Sequence, residues 1–235
     1  MRFALCFCLL FLIFGCEDKQ SKKKNTTITN EVTTLKKVEK KEDTETKPQR
    51  EYPRINDDNV RPFFLKYGEE NKENKVRITT DFGNIDILLF DETRYHRANF
   101  IFLTKQEYFD ATQFYRIVNN FIIQGGNSDS EFIARKRRRI GKYLLPTDTK
   151  YGFKHDRGVI SMPSSDIENP YKLASPYEFF IVQQRGGAHH LNGDYTIFGK
   201  VIKGMDVVDK IAAQKADARE WPVKNIYIRS VRIIE

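Results

Sequence analysis

From Val76 to the C-terminus the chain runs largely as short apolar stretches, each cut off by turn-forming residues before it can grow long. Val76-Arg77-Ile78-Thr79-Thr80 alternates, Asp81-Phe82-Gly83-Asn84 turns, and Ile85-Asp86-Ile87-Leu88-Leu89-Phe90 returns, which is a hairpin pattern. Phe114 to Val118 and Phe121 to Ile123 read as strands separated by Asn119-Asn120. Further short strands are predicted at 159–162, 179–182, 196–198 and 226–234. Helical spacing occurs over 96–106, through Ala98, Ile101 and Phe102, and again through Met205, Val208 and Ile211-Ala212. Residues 60–67, with Phe63 and Phe64, form an apolar island that reads as an edge strand or as packing under the sheet. Many short strands with only two helices favour a closed antiparallel barrel over a doubly wound parallel sheet.

The first part of the chain has a different character. Arg2 precedes an apolar run, residues 3–14, that is too short to span a bilayer comfortably. The run ends in Ile13-Phe14-Gly15-Cys16, which resembles the lipobox of bacterial lipoproteins, so residues 1–15 are expected to be a signal peptide and Cys16 the lipidated residue. An ordinary signal peptide and an uncleaved anchor remain open beside it. From Glu17 to about Asn56, Lys, Thr, Glu, Asn and Gln dominate, too little apolar surface to offset chain entropy. Residues 16–58 are therefore read as a lipidated cysteine plus a disordered polar tether with a reach on the order of 35 Å. The globular domain is placed at 59–235. All three cysteines lie at or before position 16, which leaves that domain without a disulfide, a thiol nucleophile or a cysteine metal ligand.

Two blocks carry the chemistry. The first is Phe114-Tyr115-Arg116-Ile117-Val118-Asn119-Asn120-Phe121-Ile122-Ile123-Gln124-Gly125-Gly126, an arginine among apolar and aromatic residues with an amide close behind. The second is His190-Leu191-Asn192-Gly193-Asp194-Tyr195-Thr196-Ile197-Phe198-Gly199-Lys200-Val201. In this order they resemble the cyclophilin family of peptidyl-prolyl isomerases, and the resemblance runs from about Val76 to the end. It implies a closed eight-stranded antiparallel barrel capped by two helices, with no cofactor. It also implies Arg116 and Gln124 as catalytic residues, and Phe121, Ile122, Phe180 and Leu191 as the lining of a proline pocket. Met162, Pro163 and Ser164 correspond to a stretch that pairs with the peptide backbone, Tyr195 stands at the rim, and His190 takes the place of a tryptophan. Glu178 stands where the family pattern has glutamine, either pairing with Arg116 or keeping the same hydrogen bonds.

The chemistry suits these residues. Amide resonance sets the barrier to X-Pro rotation at about 18–20 kcal/mol, and lowering it needs no nucleophile and no metal. A guanidinium aimed at the imide nitrogen stabilises only the twisted state, in which that nitrogen becomes basic. A peptide-binding module of weak or absent catalysis, using the same groove, is the alternative. The four histidines show no ligand spacing with carboxylates, so no metal is expected. Net charge is +8, with a dense run at Arg135-Lys136-Arg137-Arg138-Arg139. Nucleic acid is not expected of an exported chain with no aromatics interleaved in that run; it reads as a solvated loop or short helix, or as a surface that steers acidic partners. The clients are expected to be proline-containing polypeptides at a bacterial cell envelope.

Overall fold

A computed structural model describes residues 51–164 and 169–235; the expected signal peptide, Cys16 and most of the proposed tether lie outside the described residues. Eight strands close into an antiparallel barrel: β1 Lys75–Thr80, β2 Gly83–Leu89, β3 Gln113–Val118, β4 Ile122–Asn127, β5 Val159–Ser161, β6 Phe179–Val182, β7 Ile197–Lys203 and β8 Ile226–Ile233. Their order around the barrel is β1-β2-β7-β5-β6-β4-β3-β8, with β8 pairing back onto β1. The alternation read from the sequence sets which side chains point inward. Val76 and Ile78 of β1 and Ile226, Ile228 and Val231 of β8 are buried, whereas Arg77 and Arg229 face out.

β6 breaks the alternation, and for a reason that matters to the site. All four residues of Phe179-Phe180-Ile181-Val182 are buried. Phe179 and Ile181 join the main core, while Phe180 and Val182 belong to a second apolar cluster with Ile122 and Ala188 on the other face of the sheet. A strand covered on both faces reads as a continuous apolar run.

Four α-helices accompany the barrel among the described residues, two beyond the pair that the resemblance implied. The two expected ones are α2, Arg94–Lys105, and α4, Met205–Ala212. The island at 60–67 is not an edge strand: it is helix α1, Val60–Glu70, and its Val60 and Phe64 pack into the main core. Val60, Phe64 and Gly68 recur at a four-residue spacing and form its buried side, a period masked by the adjacent Phe63-Phe64 pair. The basic run lies in helix α3, Glu131–Ile140, started by Ser130, whose side chain accepts from the Phe132 amide, and anchored by buried Ile133 and Ile140.

The packed body begins before position 59. Ile55 is fully buried and donates its backbone N–H to the Ile140 carbonyl at 3.0 Å. Gly141 allows this approach, since a Cβ there would lie 1.9 Å from the Ile55 carbonyl oxygen. The Tyr52 hydroxyl donates to Gln106 of the segment after α2 at 2.6 Å.

Candidate functional site

Strand register assembles the site. Arg116 on β3 lies opposite Gln124 on β4, and Gln124 lies opposite Phe180 on β6. Cross-strand partners project to the same face, so guanidinium, amide and phenyl ring form one row across three neighbouring strands. The row borders a cavity of about 400 Å³. Phe121, Ile122, Phe180 and Leu191 supply its apolar lining, and Pro163, Ser164 and Tyr195 complete the rim. A larger cavity of about 600 Å³ lies between residues 51–53, α1 and α2, but it contains none of this chemistry.

Each wall has a local cause. Asn120 turns the chain with φ of 57°, and the Phe121 carbonyl then accepts from the amides of both Gln183 and Gln184. That fixes Phe121, whose ring stacks on His190 with centroids 5.4 Å apart. Phe180 meets Tyr195 edge-on and lies over the His155 ring. His155 is buried, and burial lowers its pKa. Its Nδ1 faces the Asn192 oxygen at 2.9 Å, and its Nε2 faces the Ser161 hydroxyl at 3.0 Å. The same Asn192 oxygen accepts the His155 backbone N–H at 2.8 Å, so Nδ1 carries the ring proton and Ser161 donates to Nε2. Ser161, His155 and Asn192 have the order of a nucleophile, base and orienter, but Ser161 is fully buried, and the three tie the end of β5 to the segments that carry His155 and Asn192.

Not every expected residue lines the cavity. The Met162 side chain lies in the main core. His190 is exposed and reaches the site through its stack on Phe121. Glu178 pairs neither with substrate space nor with Arg116: its oxygens accept from the Tyr115 hydroxyl at 3.1 Å and the Asn127 amide at 2.8 Å. The partner of Arg116 is Glu220, whose carboxylate accepts from Nε at 2.7 Å. With Nε held, the outer N–H groups of the fork remain for the cavity. Glu220 lies 104 residues away in sequence, and no pattern in the chain announces it.

Behind the row runs a chain of hydrogen bonds whose polarity is set at two points. Arg137 of α3, which can only donate, reaches the Asn127 side-chain oxygen at 3.0 Å, leaving the Asn127 amide N–H to donate to Glu178. Ionised Glu178 can only accept, so the Tyr115 hydroxyl donates to it and accepts from the Gln124 side-chain nitrogen. The amide orientation of Gln124 follows: its nitrogen faces Tyr115 and its oxygen is left for the cavity. The basic run is thus not five solvated cations. Arg137 turns inward to Tyr108 and Asn127, Lys136 donates to the Glu107 carbonyl, and Arg138 pairs with Glu131.

Burial raises the pKa of Glu178, against a lowering influence from Arg137 and from its bonds to Tyr115 and Asn127. Burial, then Glu178, raise that of the Tyr115 hydroxyl, which stays protonated. Among the described residues no group of three or more His, Cys, Asp or Glu is placed to hold a metal ion.

Known proteins resemble the chain across the whole barrel. A family model described as "Cyclophilin type peptidyl-prolyl cis-trans isomerase/CLD" matches residues 75–233. The "Peptidyl-prolyl cis-trans isomerase-like 3" of Dictyostelium discoideum is 31% identical over 160 residues, covering 67% of this chain and 94% of that protein. A peptidyl-prolyl cis-trans isomerase of Acinetobacter baylyi is 32% identical over 139 residues, 58% of this chain and 71% of its own. The match to an isomerase-like 2 protein of Rhizopus delemar, 34% identical, spans only 30% of that protein's length. Among solved structures, a Cryptosporidium parvum cyclophilin-type isomerase determined in the presence of the dipeptide Ala-Pro aligns with a TM-score of 0.57. It is 28% identical and covers 68% of this chain and 99% of that one.

The hydrogen-bond polarity makes a pH-dependent prediction. A proton on Glu178 would make it a donor to Tyr115, free the Tyr115 proton for Gln124, and turn the Gln124 amide over. The side-chain NH2 signals of Gln124 in an NMR titration should therefore shift with a midpoint above the ordinary glutamate range, and the shift should vanish in Glu178→Gln. Stability follows the same sign. A raised folded-state pKa means that the stability this group contributes is fully present below the ordinary glutamate value and lost as pH rises through the raised one. Relative to wild type, Glu178→Gln should therefore gain more at neutral pH than in acid. Gln124 signals that ignore pH in the wild type would contradict the assignment.

Proposed function

Since the chain belongs to the cyclophilin-type peptidyl-prolyl cis-trans isomerase family, we propose that it rotates X-Pro bonds of exported polypeptides in the groove of Arg116, Gln124 and Phe180, at a bacterial cell envelope. The observation that carries the catalytic part is the in-register row, which sets a tethered guanidinium and an oriented amide beside an apolar cavity. The proline ring packs against Phe121, Ile122, Phe180 and Leu191, with Tyr195 and the His190–Phe121 stack at its edge. Gln124 offers its oxygen to a backbone N–H of the client, while Pro163 and Ser164 flank the peptide. As the imide twists, resonance is lost and the nitrogen gains a lone pair. The outer N–H groups of Arg116 then donate to that nitrogen, an interaction absent from the planar ground state and therefore one that lowers the barrier.

A groove that binds without catalysing would follow if Glu178 neutralised Arg116. Its hydrogen bonds to Tyr115 and Asn127 weigh against that.

The envelope location rests on the N-terminal sequence, with Cys16 as the acylated residue and the polar segment after it as a spacer. Helix α3 enters the reading as a surface that steers acidic clients through exposed Arg135, Arg138 and Arg139. Such steering changes encounter rate alone and fades with salt, so a salt-independent rate on an acidic client would remove it.

Two experiments test the reading. In an NMR exchange assay on an Ala-Pro peptide, Arg116→Ala should lower the rate by about ten-fold or more, roughly 1.4 kcal/mol, while the fold is kept. Equal rates would take Arg116 out of the mechanism. Cys16→Ser should move the protein from the membrane to the soluble fraction, because acyl chains are what make such anchoring stable. Membrane retention of that variant, with no acyl mass on the wild type, would point to an uncleaved anchor.

A further inference from the structure

Beside Arg116 lies a second cavity, of about 220 Å³, that the proline site does not use. Phe114, Tyr115, Asn127, Trp221, Pro222 and Asn225 are among the residues that line it, and Asp129 is the one charged side chain among the described residues there. Trp221, the chain's single tryptophan, is 49% exposed at its edge.

The turn that presents this indole is tightly built. Asp217 accepts from the backbone amides of Arg219 and Trp221 through one carboxylate oxygen, and its own N–H donates to the Trp221 carbonyl. Ala216 bridges to Pro222, and the Val223 amide donates to the Lys215 carbonyl. Glu220 takes φ of 66°, a left-handed conformation that a non-glycine residue adopts only when its surroundings enforce it. The Ile117 amide of β3 donates to the Glu220 carbonyl at 2.9 Å and locks the turn to the strand that bears Arg116. The backbone that carries the indole is thus fixed, and the indole, left half in water, has apolar surface available to another molecule.

The two cavities have no lining residue in common but are linked through chain neighbours and one hydrogen bond. Glu220, which holds Arg116, immediately precedes Trp221. Tyr115, which accepts from Gln124, lines the second cavity with its own ring. An extended chain advances about 3.3 Å per residue, so a client whose proline occupies the first cavity and which leaves past these pairs brings a side chain within a few residues of the proline to the second. We propose that this cavity is a specificity subsite for a large apolar side chain, aromatic or branched aliphatic, of the same polypeptide client. The apolar rings of Trp221, Pro222 and Tyr115 favour that class over a charged one. The proposal rests on the isomerase reading and adds to it a preference beyond proline.

The test uses the full chain and a set of short proline peptides in which each of the two positions on either side of the X-Pro pair is Gly, Lys, Leu or Phe. Exchange rates should show, at one position, a preference for Phe or Leu over Gly of about five-fold or more in kcat/KM. Trp221→Ala should abolish that preference while leaving the rate on the all-Gly peptide unchanged, and Trp221→Phe should restore most of it. Because Trp221 is the only tryptophan, its fluorescence should change on titration with the preferred peptide and not with the all-Gly one. A preference that survives Trp221→Ala, no preference at any position, or fluorescence indifferent to every peptide would overturn the subsite. If the wild type turns over none of the peptides, the isomerase reading fails, and the fluorescence titration decides the subsite by itself.

Discussion

The bond between Arg116 and Glu220 is the constraint on which the functional face depends. An arginine on the outside of a barrel has a long side chain with many rotamers, and an untethered guanidinium would spend little time in any one place. Here the Nε–H is engaged at 2.7 Å, with both side chains about a third to a half exposed. The planar fork converts that single contact into a direction for its remaining N–H groups. Barrel closure makes the contact possible. β8 pairs with both β1 and β3, so the turn just ahead of β8 is drawn alongside β3, where the Ile117–Glu220 backbone bond seats it. A cation that lines the cavity is thus oriented by a carboxylate from the far end of the chain.

The other side of the row depends on β6 being buried on both faces. Phe179 and Ile181 anchor the strand in the main core, and Phe180 is thereby held rigidly enough to be a pocket wall. Behind Gln124, the sequence of bonds from Arg137 through Asn127, Glu178 and Tyr115 does for an amide what Glu220 does for the guanidinium. The guanidinium is oriented by a carboxylate that can only accept, and the amide by a hydroxyl whose own direction is set by such a carboxylate. Such preorganisation matters for a reaction whose catalysis consists of binding one geometry better than another.

Much of this was legible in the chain before any coordinates. The hairpin at 76–90, the strands around Arg116 and Gln124, and helices read at 96–106 and from 205 were legible in the pattern of apolar residues and turns, although the first of those helices is buried on every side. The pocket residues were legible through the resemblance carried by two ordered blocks. Helix α1 was obscured because Phe63 and Phe64 side by side hide the four-residue recurrence of Val60, Phe64 and Gly68. The arginine run concealed an inward residue: nothing local distinguishes Arg137 from Arg138, and only the surroundings of α3 turn it toward Tyr108 and Asn127. Ile55 sat within a segment of tether-like composition yet is packed against Gly141. Glu220 and Trp221 were silent because their meaning lies in a contact across the closed barrel.

The most direct test of the central claim separates orientation of Arg116 from its charge. Maximal exchange rate and peptide affinity would be measured for an Ala-Pro peptide on wild type, Glu220→Gln and Glu220→Ala. Glutamine retains an acceptor for the Arg116 Nε–H and removes the negative charge; alanine removes both. Orientation by Glu220 predicts that alanine lowers the maximal rate by about five-fold or more at unchanged affinity, while glutamine stays within about two-fold of wild type. An alanine variant as fast as wild type, or faster because Arg116 is relieved of a neighbouring negative charge, would contradict it.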